Sequence, residues 1–265
     1  MNLTEVFKSI ADAIRGKTGK EDKLTPAQMV SEIKGIQTGG GNSDALKQLI
    51  DGTLASLYDE DITHIRTRVF GYNDALKEVN LPNAKTIGQA VFASATALET
   101  VKLDSIETLV ISGNQDQQFY SCSNLKNVSM NSLKTVGGSS FDGCSSLKQI
   151  YLPSLTRVGG NGFIRSGLEI ARFPNLSSIG TNAFNASKLV ALILQGSTMA
   201  TLDNVNAFSG TPIANGTGYI YVPRALLSDE DSTKDYRRAT NWINFSEQFR
   251  AVEDYPEVCG GGVGE

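Results

Sequence analysis

Histidine is almost missing from this chain: His64 is the only one among 265 residues. A Ser-His-Asp triad or a histidine-built zinc site would lack alternatives for its principal residue. His64 lies between Ile62 and Ile65 and reads as a surface residue. Cysteine is scarce, at three, which excludes a disulfide-built scaffold. No stretch approaches the roughly 18 consecutive apolar residues of a membrane span. Basic charge is not in excess either. Lys and Arg total 24 against 28 Asp and Glu, for a net charge of −4, without the basic stripe of a nucleic-acid-binding protein. The opening "MNLTEVFKSIADAIRG" carries Glu5, Lys8 and Asp12 and has no unbroken apolar core, so it does not read as a signal peptide.

Two motifs are incomplete. "GKTG" (Gly16 to Gly19) invites a phosphate-loop reading, but Ala11 stands where the first glycine is required, and the preceding pattern is helical rather than a strand. The acidic run "SDEDSTKD" lacks the oxygen spacing of a calcium loop and reads as a solvated face. No cofactor, metal or catalytic residue is expected, and the chain is read as non-enzymatic.

What the chain has in quantity is glycine, at 26 residues, and repetition. "FYSCSNLKNVSMNSLKTVGGSSF" is followed by "FDGCSSLKQIYLPSLTRVGGNGF". The apolar triple Leu76, Val79, Leu81 recurs as Leu98, Val101, Leu103, then Leu125, Val128, Met130, then Leu147, Ile150, Leu152. Further copies are Leu168, Ala171, Phe173 and Leu189, Leu192, Leu194, and Leu54, Leu57, Asp59 is a degenerate first copy. The spacing runs from 21 to 27 residues. A second apolar residue lies six beyond each triple (Ile65, Ile87, Leu109, Val136, Val158, Ile179), and a phenylalanine closes most coils (Phe70, Phe92, Phe119, Phe141, Phe163, Phe184, Phe208). Apolar residues two apart share a strand face. One such strand cannot bury that face alone, so the copies must stack into a solenoid. Gly88, Gly137-Gly138, Gly159-Gly160 and Gly180 are expected to let the backbone bend. "VISGNQDQQ", the longest insert, is expected to bulge from one side.

The ends differ from the middle. Leu3, Phe7, Ile10 and Ile14 form one stripe of an amphipathic helix. Thr25-Pro26, with Gln28, opens a second helix, whose stripe includes Met29 and Ile33. These two short helices are too small to be stable alone, so Leu3, Phe7, Ile10, Ile14, Met29 and Ile33 are candidate oligomerisation or docking residues, and a homo-oligomer is expected. The divisions are a helical hairpin over 1–36, a glycine-rich linker over 37–43, the solenoid over 44–222, a C-terminal cap over 223–257 and a flexible tail over 258–265. "GYIYVP" reads as the last strand, and Trp242 as part of the cover for the solenoid's end.

The recurring pattern F-x-x-C-S-x-L-K-x-V/I-x-L-P-x-L-x-x-V/I-G resembles the BspA-like leucine-rich repeats of bacterial, phage and protist surface proteins. The resemblance runs from about Leu54 to Val222. It implies an α/β leucine-rich-repeat solenoid of about seven to eight coils, with one parallel sheet and little helix. Both ends resemble tail-associated proteins of phages and prophages of Gram-positive bacteria. The resemblance thus implies a virion protein, structural and adhesive, assembled in the host cytoplasm. Its partners would be a protein or cell surface and other virion proteins or itself, with no nucleic acid and no membrane insertion. The alternative is a bacterial BspA-like surface adhesin that binds host proteins.

Outward positions carry no core duty and are where recognition would be written. One row reads Glu78, Thr100, Asn127, Gln149, Ile170, Ala191 and the other Asn80, Lys102, Ser129, Tyr151, Arg172, Ile193. Both begin polar and turn apolar. Tyr151, Ile170, Arg172, Ala191 and Ile193 are therefore the candidate binding face. Its occupant is either a receptor or the C-terminal segment, folded back with Trp242 or Phe245. Cys122 and Cys144 share a small, buried repeat position, counted three before each leucine with Asn73, Ala95 and Ala186, and are expected as free thiols. Cys259 is expected on the tail, where it could be reactive.

Overall fold

The computed structural model describes residues 53–109, 116–228 and 230–260. The N-terminal hairpin residues Leu3, Phe7, Ile10, Ile14, Met29 and Ile33 lie outside the described residues. Most coils contribute a three-residue strand, then a two-residue strand, then a turn around a phenylalanine. The longer strands are β1 (Ser56–Tyr58), β3 (Glu78–Asn80), β5 (Thr100–Lys102), β6 (Asn127–Ser129), β8 (Gln149–Tyr151), β10 (Ile170–Arg172) and β12 (Ala191–Ile193). β14 (Tyr219–Val222) and β15 (Phe249–Ala251) extend the same row. The shorter row comprises β2 (His64–Ile65), β4 (Thr86–Ile87), β7 (Thr135–Val136), β9 (Arg157–Val158), β11 (Ser178–Ile179) and β13 (Thr201–Leu202). His64 is exposed on β2.

Among the described residues the pairings between these strands are parallel, and within the repeats they join equivalent residues of successive coils: Val79 with Val101, Val101 with Val128, Ala171 with Leu192. The expected single parallel sheet is corrected in two ways. There are two rows of strands on different sides of the coil, and each row is interrupted. The long row divides into β1-β3-β5-β6 and β8-β10-β12-β14-β15, and the short row into β2-β4 and β7-β9-β11-β13. Both interruptions lie within one coil of the insert, whose coil adds only the bridge Thr108–Thr135 to the short row. The "GYIYVP" strand is not the last, because β15 pairs beyond it.

Inside, one core runs the length of the stack. The phenylalanines form a column: Phe70, Phe92, Phe119, Phe141, Phe163, Phe184 and Phe208 lie face to face in succession, with ring centroids 5.0–5.6 Å apart. Trp242 and Phe245 pack on Phe208 and close the column. The Trp242 indole N–H donates to the Ala200 carbonyl at 2.8 Å, and the Ala200 N–H donates to the buried Tyr236 hydroxyl. The segment that carries these rings consists largely of short 3-10 turns, including Tyr236–Arg238 and Trp242–Gln248.

The turns bend mostly at residues other than glycine. Two residues before and two after the first six phenylalanines of the column, the backbone is left-handed: Arg68 and Tyr72, Ala90 and Ser94, Gln117 and Ser121, Ser139 and Gly143, Asn161 and Arg165, Asn182 and Ala186. That conformation costs a non-glycine residue about 1–2 kcal/mol. It is held because the N–H groups of Phe70, Phe92, Phe119, Phe141, Phe163 and Phe184 each reach a carbonyl of the next coil at 2.7–2.9 Å. Gly88, Gly137, Gly159 and Gly180 have a different task. None of them lies in the left-handed region, and a Cβ there would stand 2.3 Å from Thr67 N, 2.3 Å from Asp116 Oδ2, 2.9 Å from Val136 O and 2.7 Å from Gly160 N respectively. These glycines let successive coils touch.

Candidate functional site

The outer face of the long row divides at the break between β6 and β8. Before the break, strand residues alternate between buried and open. Val79 and Val101 point inward, while Glu78 and Lys102 are exposed. At the break the two strands part. The opening is a groove of about 460 Å³ lined by residues of β5, β6 and β8, among them Thr100, Lys102, Asn127, Ser129, Gln149 and Tyr151. Val128 is only partly buried there, unlike Val101. The Asn127 amide donates to Thr100 Oγ1 at 3.3 Å, and the Ser129 hydroxyl donates to Asp104 Oδ1 at 2.7 Å. Lys126, at the edge, pairs with Glu99 at 2.8 Å, which holds the Glu99 carboxyl below the usual carboxylate range, chiefly by that hydrogen bond.

Beyond the break the face is covered. Val252, Tyr255, Val258 and Cys259 pack on Ala191, Ile193 and Tyr221, with Ile170 and Tyr219 at the margin. Residues 256–259 form a short helix, α1 (Pro256–Cys259). Arg172 fastens this strap by donating from Nη2 to the Val258 carbonyl at 3.0 Å. Of the five residues expected as a binding face, Ile193 is fully buried, Ala191 is buried, and Ile170 and Arg172 are half-buried; Tyr151 alone is exposed, at 38%. The structure therefore separates Tyr151, which belongs to the groove, from the other four, which lie at or beneath the strap. The occupant is the chain's own C-terminal segment, although Trp242 and Phe245 take no part in covering this face.

Val258 and Cys259 are consequently not tail. Cys259 is buried beneath Tyr221 and Tyr255, and burial pushes its thiol above the ordinary range despite the lowering influence of Arg172. Cys122 and Cys144 are free and fully buried. Their thiols donate to the carbonyls of Phe92 and Phe119 at 2.9 and 3.1 Å. Burial pushes the Cys122 pKa up to about 12 and that of Cys144 well above its ordinary value. Their repeat position is fixed by the phenylalanine three residues before it, so in the shorter coils Ser166 and Ser187 hold it, not Ala186. The acidic run is not wholly solvated. Asp235 is buried and bound by Arg237 Nε and Nη2 at 2.9 and 3.0 Å. Burial alone would raise its carboxyl, but the hydrogen bonds and charges of Arg237 and then Arg238 leave it lowered overall.

Among the described residues no group of three or more His, Cys, Asp or Glu is placed to hold a metal ion, and no helix is long and apolar enough to cross a membrane. The open surface consists of repeated strands with a polar groove. The BspA-type leucine-rich repeat region, in six copies, matches residues 55–115 and 113–218. This chain belongs to the BspA-type leucine-rich repeat family. Repeats of this kind generally mediate protein–protein interaction, and their families are generally binding or structural rather than enzymatic. A crystal structure of a leucine-rich repeat protein from Bacteroides ovatus is similar, at 18% identity and a TM-score of 0.48, over 75% of this chain. The BspA-type chain spans 42% of that protein's length. No curated protein matches the chain.

The sequence put Thr100, Asn127, Ser129 and Gln149 on the outer face, but it did not single them out. Their signal was a run of polar outward positions, which any solvated sheet also shows. The break that turns them into a groove depends on how two coils part, and the repeat spacing does not encode that.

Proposed function

We propose that this chain is a non-enzymatic recognition protein that binds a protein or cell surface through the open, N-terminal part of its long-strand face, β1 to β8. The observation that carries this reading is the division of that face: the strap covers the C-terminal half, while the groove at β6 and β8 stays open. The finer reading is a tail-associated component of a phage or prophage, supported by the likeness of both terminal segments to such proteins. In that reading the N-terminal helices dock to virion proteins or to further copies of the chain. The family match favours a second reading equally, that of a BspA-like surface adhesin. Particles and cell walls from a strain that carries the gene separate the two. Recovery of the chain with sedimented, DNA-containing particles supports the tail reading, and recovery with the washed cell wall supports the adhesin.

A further inference from the structure

The groove between β6 and β8 has chemistry that selects a class of ligand. Its floor is the inward pair Val128 and Ile150 together with the strand edges that no ladder hydrogen bond joins. On one side one N–H of the Asn127 amide goes to Thr100, which leaves its second N–H as a donor and its carbonyl oxygen as an acceptor, and Ser129 keeps its lone pairs after donating to Asp104. On the other side Gln149 carries an amide with no hydrogen-bond partner among the described residues, next to the exposed ring of Tyr151. Lys102 adds a donor at the rim.

A peptide strand does not fit between β6 and β8. Insertion into a ladder needs two spacings of about 4.8 Å, roughly 9.6 Å in all, whereas Cα atoms of these strands lie within 8 Å of one another. An apolar ligand finds too little apolar wall. An inorganic anion would be matched by donors alone, and here the lining includes the amides of Asn127 and Gln149 and the Ser129 hydroxyl, which accept as well as donate. Hydroxyl groups both donate and accept, so mixed amide groups suit a ligand that presents several of them, and an aromatic ring offers its face to aliphatic C–H groups. The volume lies in the range of small-molecule sites.

We infer that this groove binds a saccharide of one or two residues, with its C–H face on Tyr151 and its hydroxyls on Gln149, Asn127 and Ser129. The inference rests on the open face being the recognition surface, and it names the chemistry recognised there.

Saturation-transfer NMR on the full chain tests it, with glucose, galactose, N-acetylglucosamine, N-acetylgalactosamine, rhamnose and glucuronic acid as probes. Transfer to at least one sugar is expected. It should fall about fivefold or more in Tyr151→Ala and in Gln149→Ala, the loss of one stacking or hydrogen-bonding contact. Tyr72→Ala, which removes an 80% exposed ring on the turn side, should leave it unchanged. Thermal melting of each variant shows that it is folded; if Tyr151→Ala does not fold, Gln149→Ala decides. No transfer to any of the six sugars, or transfer undiminished in the folded groove variants, overturns the inference. If transfer is absent but groove variants still lose attachment to cells or proteins, the saccharide is wrong and the recognition face stands.

Discussion

At the scale of single residues, the repeat tolerates chemistry only where the stack can satisfy it. The position three after each phenylalanine holds Asn73, Ala95, Cys122, Cys144, Ser166, Ser187 and Thr211 in turn. Asn73 Oδ1 accepts from the Ala75 and Leu76 N–H groups, the two cysteines donate to carbonyls, and Thr211 donates to Phe208 O. The buried hydroxyls of Ser166 and Ser187 find no partner. An unsatisfied buried hydroxyl is costly, and Ala95 shows that the site accepts alanine. Ser166→Ala and Ser187→Ala should therefore be neutral or should stabilise by up to about 1 kcal/mol each, measured by denaturant unfolding. A loss above that size would mean the hydroxyls are bonded. Burial also sets an alkaline limit. Burial holds the protons of Cys122 and Tyr236 to about 12 in the fold, against ordinary values of 9.0 and 10.0. In that window the unfolded chain has already released protons that the folded chain keeps, so stability falls as pH rises. Unfolding midpoints measured from pH 8 to 12 should drop from about pH 9 upward, and Tyr236→Phe with Cys122→Ala should flatten the fall.

At the scale of elements, much was legible and some was not. The inward residues, the phenylalanine column and the parallel stacking followed from spacing, because a period that places Leu, Val and Leu on one side of every coil has few other solutions. The roles of glycine did not follow. Glycine permits both bending and close approach, and only the neighbouring coil decides which is used. Gly88→Ala should cost about 1–3 kcal/mol by overpacking, since its Cβ would meet Thr67 backbone. Ser94→Gly should instead stabilise by up to about 1 kcal/mol, because Ser94 is left-handed where the equivalent positions hold Gly143 and Gly210. Equal effects of the two would reject the distinction. A cover by the C-terminal segment was one of two readings, but the residues that form the strap were illegible: Tyr255 and Val258 stand in a segment too short and irregular to show a period. Its opening is readable at Cys259. Tyr255→Ala should speed native thiol labelling of Cys259 severalfold and leave Cys122 and Cys144 slow, as followed by mass spectrometry. Equal acceleration of all three would show global unfolding instead.

At the scale of the whole molecule, a stack of like coils yields a surface whose differences are informative, since packing demands the same inward residues everywhere and leaves the outer ones unconstrained. The outward rows were read as the place of recognition, yet their apolar end proved to be the seat of the chain's own strap. The polar groove became visible only through the broken ladder. The most direct test of the account compares the wild type with the triple variant Asn127→Ala, Gln149→Ala, Tyr151→Ala. Each labelled chain is offered to Gram-positive cells and to surfaces coated with extracellular-matrix protein, and its melting temperature is taken alongside. The account predicts that the wild type attaches to one of the two surfaces, and that the triple variant melts within a few degrees of it, as surface substitutions do, but no longer attaches. Undiminished attachment of the triple variant, or attachment of the wild type to neither surface, would contradict it.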